Sequence, residues 1–299
     1  MLPFARVSII GMGLIGSSLA RAVRANMPTV RLTVSDGDAG VRERVRALDL
    51  AEDVTDNASA AVTDAELVIL CVPVGAMGRV AAEIAAELPP GVIVSDVGSV
   101  KERVLTDLKA ALPGVTVIPG HPVAGTEKSG PDAGFATLFQ DRWCILTPEA
   151  PGPEVDKLSA FWTRLGAKVE IMDAAHHDRV LAVTSHLPHL IAYSIVGTAS
   201  DLEAVTRSEV IKYSAGGFRD FTRIAASDPV MWRDVFLNNR EAVLELLGRF
   251  TEDLVALQRA IRWGEGDTLE TLFTRTRAIR RSIIDEGQDT DDADFGRKH

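Results

Sequence analysis

Between residue 5 and about residue 172, short runs of aliphatic and β-branched residues alternate with alanine-rich stretches of helical periodicity. The runs predict strands at 6–10, 30–34, 67–72, 92–95, 115–118, 143–146 and 168–171. Between them lie predicted helices at 14–25, 76–88, 100–112 and 154–165. Strands that are apolar almost throughout belong to a mostly parallel sheet covered by helices on both faces. One connection, 119–141, is long and rich in Gly, Thr and Ser, and such a loop inside a compact domain is usually functional.

After Asp173 no further strand pattern appears, and helical periodicity runs to about Glu286. One helix is predicted from Ala174 past Ala199, bent at Pro188. Another, from Asn239 to Trp263, sets Val243, Leu246, Leu247, Phe250, Leu254 and Leu257 on one apolar stripe. Such stripes are ordinarily core within a chain, but a small all-helical half with this much apolar surface also suits a homodimer contact. The predicted organisation is an α/β domain over 1–172, an all-α domain over 173–286, and a polar, acidic tail over 287–299 that reads as disordered.

The 299 residues are 46% hydrophobic and 25% charged, a globular balance, with 32 basic against 42 acidic side chains. A net charge of −10 excludes the basic footprint of a nucleic-acid or anionic-membrane binder. Cys71 and Cys144 each lie in an apolar run, which speaks against a disulfide framework and for a reducing, cytoplasmic setting. Residues 7–20 imitate a signal peptide, yet they carry three glycines at a spacing with its own meaning. No apolar run reaches the roughly 18 residues of a membrane span, so no membrane partner is expected.

Those glycines read Gly11-Met12-Gly13-Leu14-Ile15-Gly16, directly after the first strand and opening a helix. The first permits a tight turn, the second lets backbone approach a pyrophosphate, and the third allows close packing of helix on sheet. The helix start at Leu14 and Ile15 offers free N–H groups to phosphates. Asp36 ends the second strand, where an acid accepts hydrogen bonds from the ribose hydroxyls of NAD and repels the extra phosphate of NADP. No arginine precedes Arg42 beside it, so NAD is favoured. The first half is thus a Rossmann-type dinucleotide domain.

A dinucleotide fold names no reaction. His121, between Gly120 and Pro122 at the end of the fifth predicted strand, stands at the carboxyl edge of the sheet, where α/β ligands bind. His176 and His177 open the long helix and read as solvated or capping residues. His186 and His189 in Ser185-His186-Leu187-Pro188-His189 lack the carboxylate or thiol that would complete a metal set, so no metal is expected. One of the pair then faces a polar substrate while the other packs. Arg219 and Arg223 follow a glycine turn. Either can grip a carboxylate with its planar fork, although an Arg–Asp surface pair with Asp220 is the commoner arrangement.

Together, GMGLIGSSLA (11–20), DVGSVK (96–101), GHPVAGTEKSGP (120–131), SHLPH (185–189) and GGFRDFTRIAASDPVMW (216–232) resemble the prephenate dehydrogenases and the related arogenate and cyclohexadienyl dehydrogenases of tyrosine biosynthesis. The resemblance spans about residues 5–286. It implies an NAD-dependent oxidative decarboxylation, in which hydride leaves ring C4 of prephenate and the ring carboxylate departs as CO2. It also implies that His121 takes the proton of the C4 hydroxyl, and that Ser99 bonds the same hydroxyl or holds the imidazole. Arg223 would grip a substrate carboxylate, with His189 and Ser185 at the side chain. Thr126, Glu127, Gly216 and Trp232 match positions that line the pocket, and Asp178 and Asp220 match supporting acids. Ser17 departs from relatives that carry a further glycine. Arogenate is the alternative substrate. A β-hydroxyacid or imine dehydrogenase would need a lysine where SHLPH stands, and a dinucleotide sensor without chemistry would have no use for His121 and Arg223.

Overall fold

The computed structural model describes residues 2–126, 128–202 and 216–285. The disordered-tail expectation for 287–299 lies outside them. The first half alternates strand and helix: β1 (Arg6–Ile10), α1 (Leu14–Asn26), β2 (Arg31–Ser35), α2 (Ala39–Ala47), β3 (Asp53–Thr55), α3 (Ala58–Val62), β4 (Leu67–Leu70), α4 (Met77–Ile84), β5 (Ile93–Asp96), α5 (Glu102–Ala111) and β6 (Thr116–Val117). These strands form one six-stranded sheet of order β3-β2-β1-β4-β5-β6, parallel at every pairing. The order reverses beside β1, which places the glycine turn after β1 at the switch point where such sheets bind ligands. β4 is buried along its whole length, as its unbroken Leu-Val-Ile-Leu run demands of a central strand.

The sheet ends earlier than the alternation implies. Three further strands, β7 (Gly120–Pro122), β8 (Trp143–Leu146) and β9 (Lys168–Ile171), form a separate three-stranded sheet around α6 (Pro153–Arg164). In it β7 runs antiparallel to β8, and β8 parallel to β9. The crossing from β6 to β7 depends on Gly120, because a Cβ there would stand 3.0 Å from the Asp96 carbonyl oxygen at the end of β5. Sequence periodicity carries no sign of such a change of sheet. β3, α2 and α3 also escape it, being short and, in α2, mostly polar.

The helical part begins with α7 (Ala174–Leu181), a π-helical turn (Ala182–His186) and α8 (Leu187–Leu202). Pro188 has no N–H and its ring crowds the carbonyl one turn back, and the wide turn directly ahead of it absorbs that mismatch. After it come α9 (Gly216–Thr222), a 3-10 turn (Arg223–Ala226), α10 (Pro229–Asn238), α11 (Arg240–Trp263) and α12 (Gly266–Asp285). The Asp228 side chain caps α10 by accepting from the N–H groups of Val230 and Met231, with Pro229 in the first turn.

Two apolar layers sandwich the parallel sheet. One is built from α1, α6 and the strands, with Leu19, Val23, Phe139, Phe161 and Trp162. The other holds Ile10, Val68, Met77, Ile84 and Val104, and Trp232 and Val235 of α10 belong to it. Through Tyr193, Trp232 and Val235, α8 and α10 therefore share a core with the sheet, and the chain divides into compact units Met1–Val243 and Leu244–His299. On α11, Leu246, Leu247, Phe250 and Leu257 of the predicted stripe are half-buried, and Leu254 is exposed.

One stretch, Ala174–Asp201, is long and apolar enough to cross a membrane by length and composition alone, against the sequence expectation that none is. Its buried polar residues His177, Asp178 and His186 are tied by hydrogen bonds to β7, to the start of α5 and to Asn239, as described below. That is the setting of a site-forming helix rather than a lipid-facing one.

Candidate active site

The dinucleotide end is built from β1, α1 and β2. Gly11 sits at φ 98°, in the left-handed region, and a Cβ there would lie 2.6 Å from the Cys71 carbonyl oxygen. A Cβ on Gly16 would lie 2.0 Å from the Gly11 carbonyl oxygen. Both positions thus require glycine for close backbone approach. At Gly13, by contrast, a Cβ would meet open space, and no side chain caps α1. The first-turn N–H groups of Leu14 and Ile15 border a cradle that protein atoms leave unfilled, a fit for a pyrophosphate.

Asp36 follows β2 and accepts from the Met12 N–H at 2.8 Å and the Asp38 N–H at 2.9 Å, which ties the glycine turn to the strand end. Arg42, the first arginine after this acid, reaches back from α2 with its guanidinium to the Asp36 and Gly37 carbonyl oxygens at 2.8 and 2.9 Å. Ser17, the departure from a glycine, is accommodated by Gly134, where a Cβ would stand 2.2 Å from its Oγ.

A second cluster, around His121, is a chain of buried side chains. β7 carries His121, 8% exposed, opposite Ile145 of β8. Asp173 caps α7 by accepting from the His176 N–H, and the first turn so set leaves His176 exposed while His177 and Asp178 are buried. The reading of His177 as solvated or capping is therefore corrected. His177 Nε2 lies 2.8 Å from His121 Nδ1, and its Nδ1 lies 2.7 Å from Asp178 Oδ1. The Asp178 carboxylate also accepts from the main-chain N–H of Lys101 at 2.7 Å and of Glu102 at 3.0 Å, at the start of α5. That helix end favours the anion.

These bonds determine the ring protons. A carboxylate only accepts, so His177 donates through Nδ1–H and keeps its lone pair on Nε2. His121 must then donate through Nδ1–H, which leaves the lone pair on His121 Nε2. Burial, with the charges of His177, Lys101 and His186 adding to it, holds His121 well below the ordinary histidine value. Burial likewise lowers His177, against the pull of Asp178. His121 is thus a neutral imidazole at physiological pH, arranged to accept a proton.

The remaining candidates gather around α8 and α10. His189 stacks on Trp232 at 3.6 Å between ring centres and donates from Nδ1 to the Ser185 carbonyl oxygen at 2.9 Å. His186, carried inward by the π-helical turn, is fully buried edge-on to Trp232. Its Nδ1 is 3.0 Å from Asn239 Nδ2, which also donates to the Asp178 carbonyl oxygen at 2.9 Å. Burial depresses His186 to about 4. Arg223 is exposed at the start of the 3-10 turn packed against α8, and its charge bears on His189.

Ser99 lies half-buried in the turn between β5 and α5 with its backbone beside His186, while the group that holds the His121 ring is His177. Thr126 is half-buried in the long loop and accepts from the Lys128 N–H. Glu127 lies outside the described residues. Gly216 opens α9 and is exposed.

Residues 19–171 match the nucleotide-binding domain of prephenate dehydrogenase, and residues 173–275 match its dimerization domain. A cyclohexadienyl dehydrogenase of Zymomonas mobilis is 47% identical over 95% of this chain and 97% of that protein. A prephenate dehydrogenase of Lactococcus lactis is 33% identical over 93% of this chain and 77% of its own length. Among solved structures, prephenate dehydrogenase of Aquifex aeolicus in complex with hydroxyphenyl propionate and NAD+ superposes with a TM-score of 0.86 at 31% identity, covering 95% of this chain and 98% of that one. The chain belongs to the prephenate dehydrogenase family of oxidoreductases.

Proposed function

We propose that the protein is an NAD-dependent dehydrogenase that oxidatively decarboxylates prephenate to 4-hydroxyphenylpyruvate, with His121 as the general base. The observation that carries this reading is the Asp178–His177–His121 chain, whose bonds leave a lone pair on His121 Nε2. The glycine turn and Asp36 would hold NAD, which would supply the acceptor for the hydride from ring C4. His121 takes the C4 hydroxyl proton as that C–H bond breaks. Loss of CO2 hands the ring a pair of electrons, the ring becomes aromatic, and the proton held by His121 returns to the phenolate oxygen. Ser99 bonds the reacting hydroxyl, Arg223 holds a substrate carboxylate, and Ser185, His189, Trp232, Thr126, Glu127 and Gly216 line the side-chain end. The 47% identity to a cyclohexadienyl dehydrogenase supports arogenate as an alternative or additional substrate.

A cytoplasmic homodimer completes the reading, with 1–172 holding the dinucleotide and 173–286 the substrate and the partner. Its support is the match to a dimerization domain and the apolar side chains left exposed on α11 and α12, Leu254, Val255, Phe273 and Ile279 among them. Light scattering that gives the monomer mass at micromolar concentration would overturn it. For the chemistry, His121→Asn is expected to lower kcat by roughly 10²–10⁴-fold, with NAD affinity near that of wild type. An His121→Asn protein with wild-type kcat on both prephenate and arogenate would place the base elsewhere, with His189 the first residue to test.

A further inference from the structure

Asp96 and Lys101 bracket the turn after β5, and both side chains are fully buried. Lys101 Nζ donates to Asp96 Oδ2 and, at 2.6 Å, to the Gly120 carbonyl oxygen. Asp96 accepts from the Gly98 N–H at 2.7 Å through Oδ2, and from the Gly120 N–H at 3.2 Å through Oδ1. Gly120, the residue before His121, is therefore held at both its main-chain groups by this one ion pair. The N–H of Lys101 goes to Asp178 Oδ1, so the bonds close a ring through Asp96, Gly120, His121, His177, Asp178 and Lys101.

A buried ion pair is a poor source of stability, because removing two charges from water offsets much of their attraction. Apolar side chains of similar volume would fill the space at least as well. They could not bind a peptide N–H and its neighbouring C=O at once, which is what this pair does next to the base.

We propose that Asp96 and Lys101 are positioning residues for the reaction: they hold the Gly120–His121 peptide and the Asp178 carboxylate in one frame, so that His121 meets His177 in the orientation that exposes its Nε2 lone pair. The proposal rests on the reading of His121 as the base. The groups that surround His121 are Lys101 and Asp96 from the turn after β5, His177 and Asp178 from α7, His186 from the π-helical turn, and Cys144 from β8. Burial keeps Cys144 a thiol and His186 neutral. The Lys101 ammonium is then the cation that opposes protonation of His121.

Lys101→Met alone would strand the Asp96 charge, so the test uses Asp96→Asn/Lys101→Met, which removes both charges together. Steady-state kinetics with prephenate and NAD are read across pH, beside thermal melts and the His121→Asn control. The double variant is expected to lose about 10–100-fold in kcat, as for a misplaced catalytic group, with both KM values close to wild type. The acid limb of its kcat/KM profile should move to higher pH, because Lys101 is the charge of the pair that bears on His121 and both charges are gone. Asp96→Asn/Lys101→Gln also removes both charges but leaves amides that can still bond the Gly120 main chain, and should fall between wild type and the Met-containing variant in kcat. It carries the test if the Met-containing variant fails to fold.

A folded double variant with wild-type kcat and an unmoved acid limb would overturn the proposal and leave the pair a structural one. So would a parallel loss of affinity for both ligands, the mark of a collapsed site. If the Met-containing variant does not fold, an Asp96→Asn/Lys101→Gln protein with wild-type kcat and an unmoved acid limb would do the same. His121→Asn with undiminished kcat would instead remove the base reading itself.

Discussion

Asp178→Asn tests the proton arrangement without touching a group that reaches substrate. The wild-type carboxylate accepts from three donors: the N–H groups of Lys101 and Glu102, and His177 Nδ1–H. Asparagine offers one acceptor oxygen and one NH2 group, so in either orientation a donor is set against a donor. If the NH2 takes the Oδ1 position, it donates to His177 Nδ1, His177 then donates from Nε2, and His121 is left with its proton on Nε2. Either orientation leaves one main-chain N–H facing the NH2, and both remove the anion whose charge-assisted bonds steady the positive charge His121 acquires with the proton, a loss of about 2–4 kcal/mol at that step. At about 1.4 kcal/mol per decade of rate, kcat should fall roughly 30- to 1000-fold. Initial rates of NADH formation give kcat, and the KM for NAD should stay near wild type. Nitrogen-15 spectra of histidine-labelled protein read the ring protons directly. A variant with undiminished kcat, or wild-type spectra that place the His121 proton on Nε2, would falsify the reasoning.

Three further outcomes follow from other parts of the site. Asp36→Ser should narrow the kcat/KM preference for NAD over NADP, more so because Arg42 already lies at the Asp36 carbonyl; a wild type that prefers NADP would sink the assignment. Arg223→Ala should raise the KM for prephenate by the equivalent of about 2–4 kcal/mol with NAD binding nearly unchanged, and an unaltered KM would make Arg223 a partner of Asp220 instead. His121, His177 and His186 are all held below their unfolded value by burial, so the unfolded chain binds more protons and stability should fall with pH. That loss should begin near an unfolded value of about 6.5 and continue towards about 4 for His186, worth about 3 kcal/mol from that residue; a melting temperature flat across that range would refute it.

The sequence by itself determined what depends on neighbours along the chain. A glycine turn between an apolar strand and a helix has one economical conformation, so the turn of Gly11, Gly13 and Gly16 at the head of α1 was legible. The buried strands β1, β4 and β8 were equally plain, since their apolar runs need no partner to be recognised. Tertiary structure decided the rest. His177 sits in the first turn of a helix, where sequence context reads as solvent, and only the approach of β7 to α7 buries it against His121. Lys101 and Asp96 carry charges that local chemistry assigns to the surface, and they are buried because two strand ends and a helix start converge on them. Local periodicity also cannot show that β7, β8 and β9 leave the parallel sheet, or that α10 shares its core, because those outcomes follow from which surfaces meet in space.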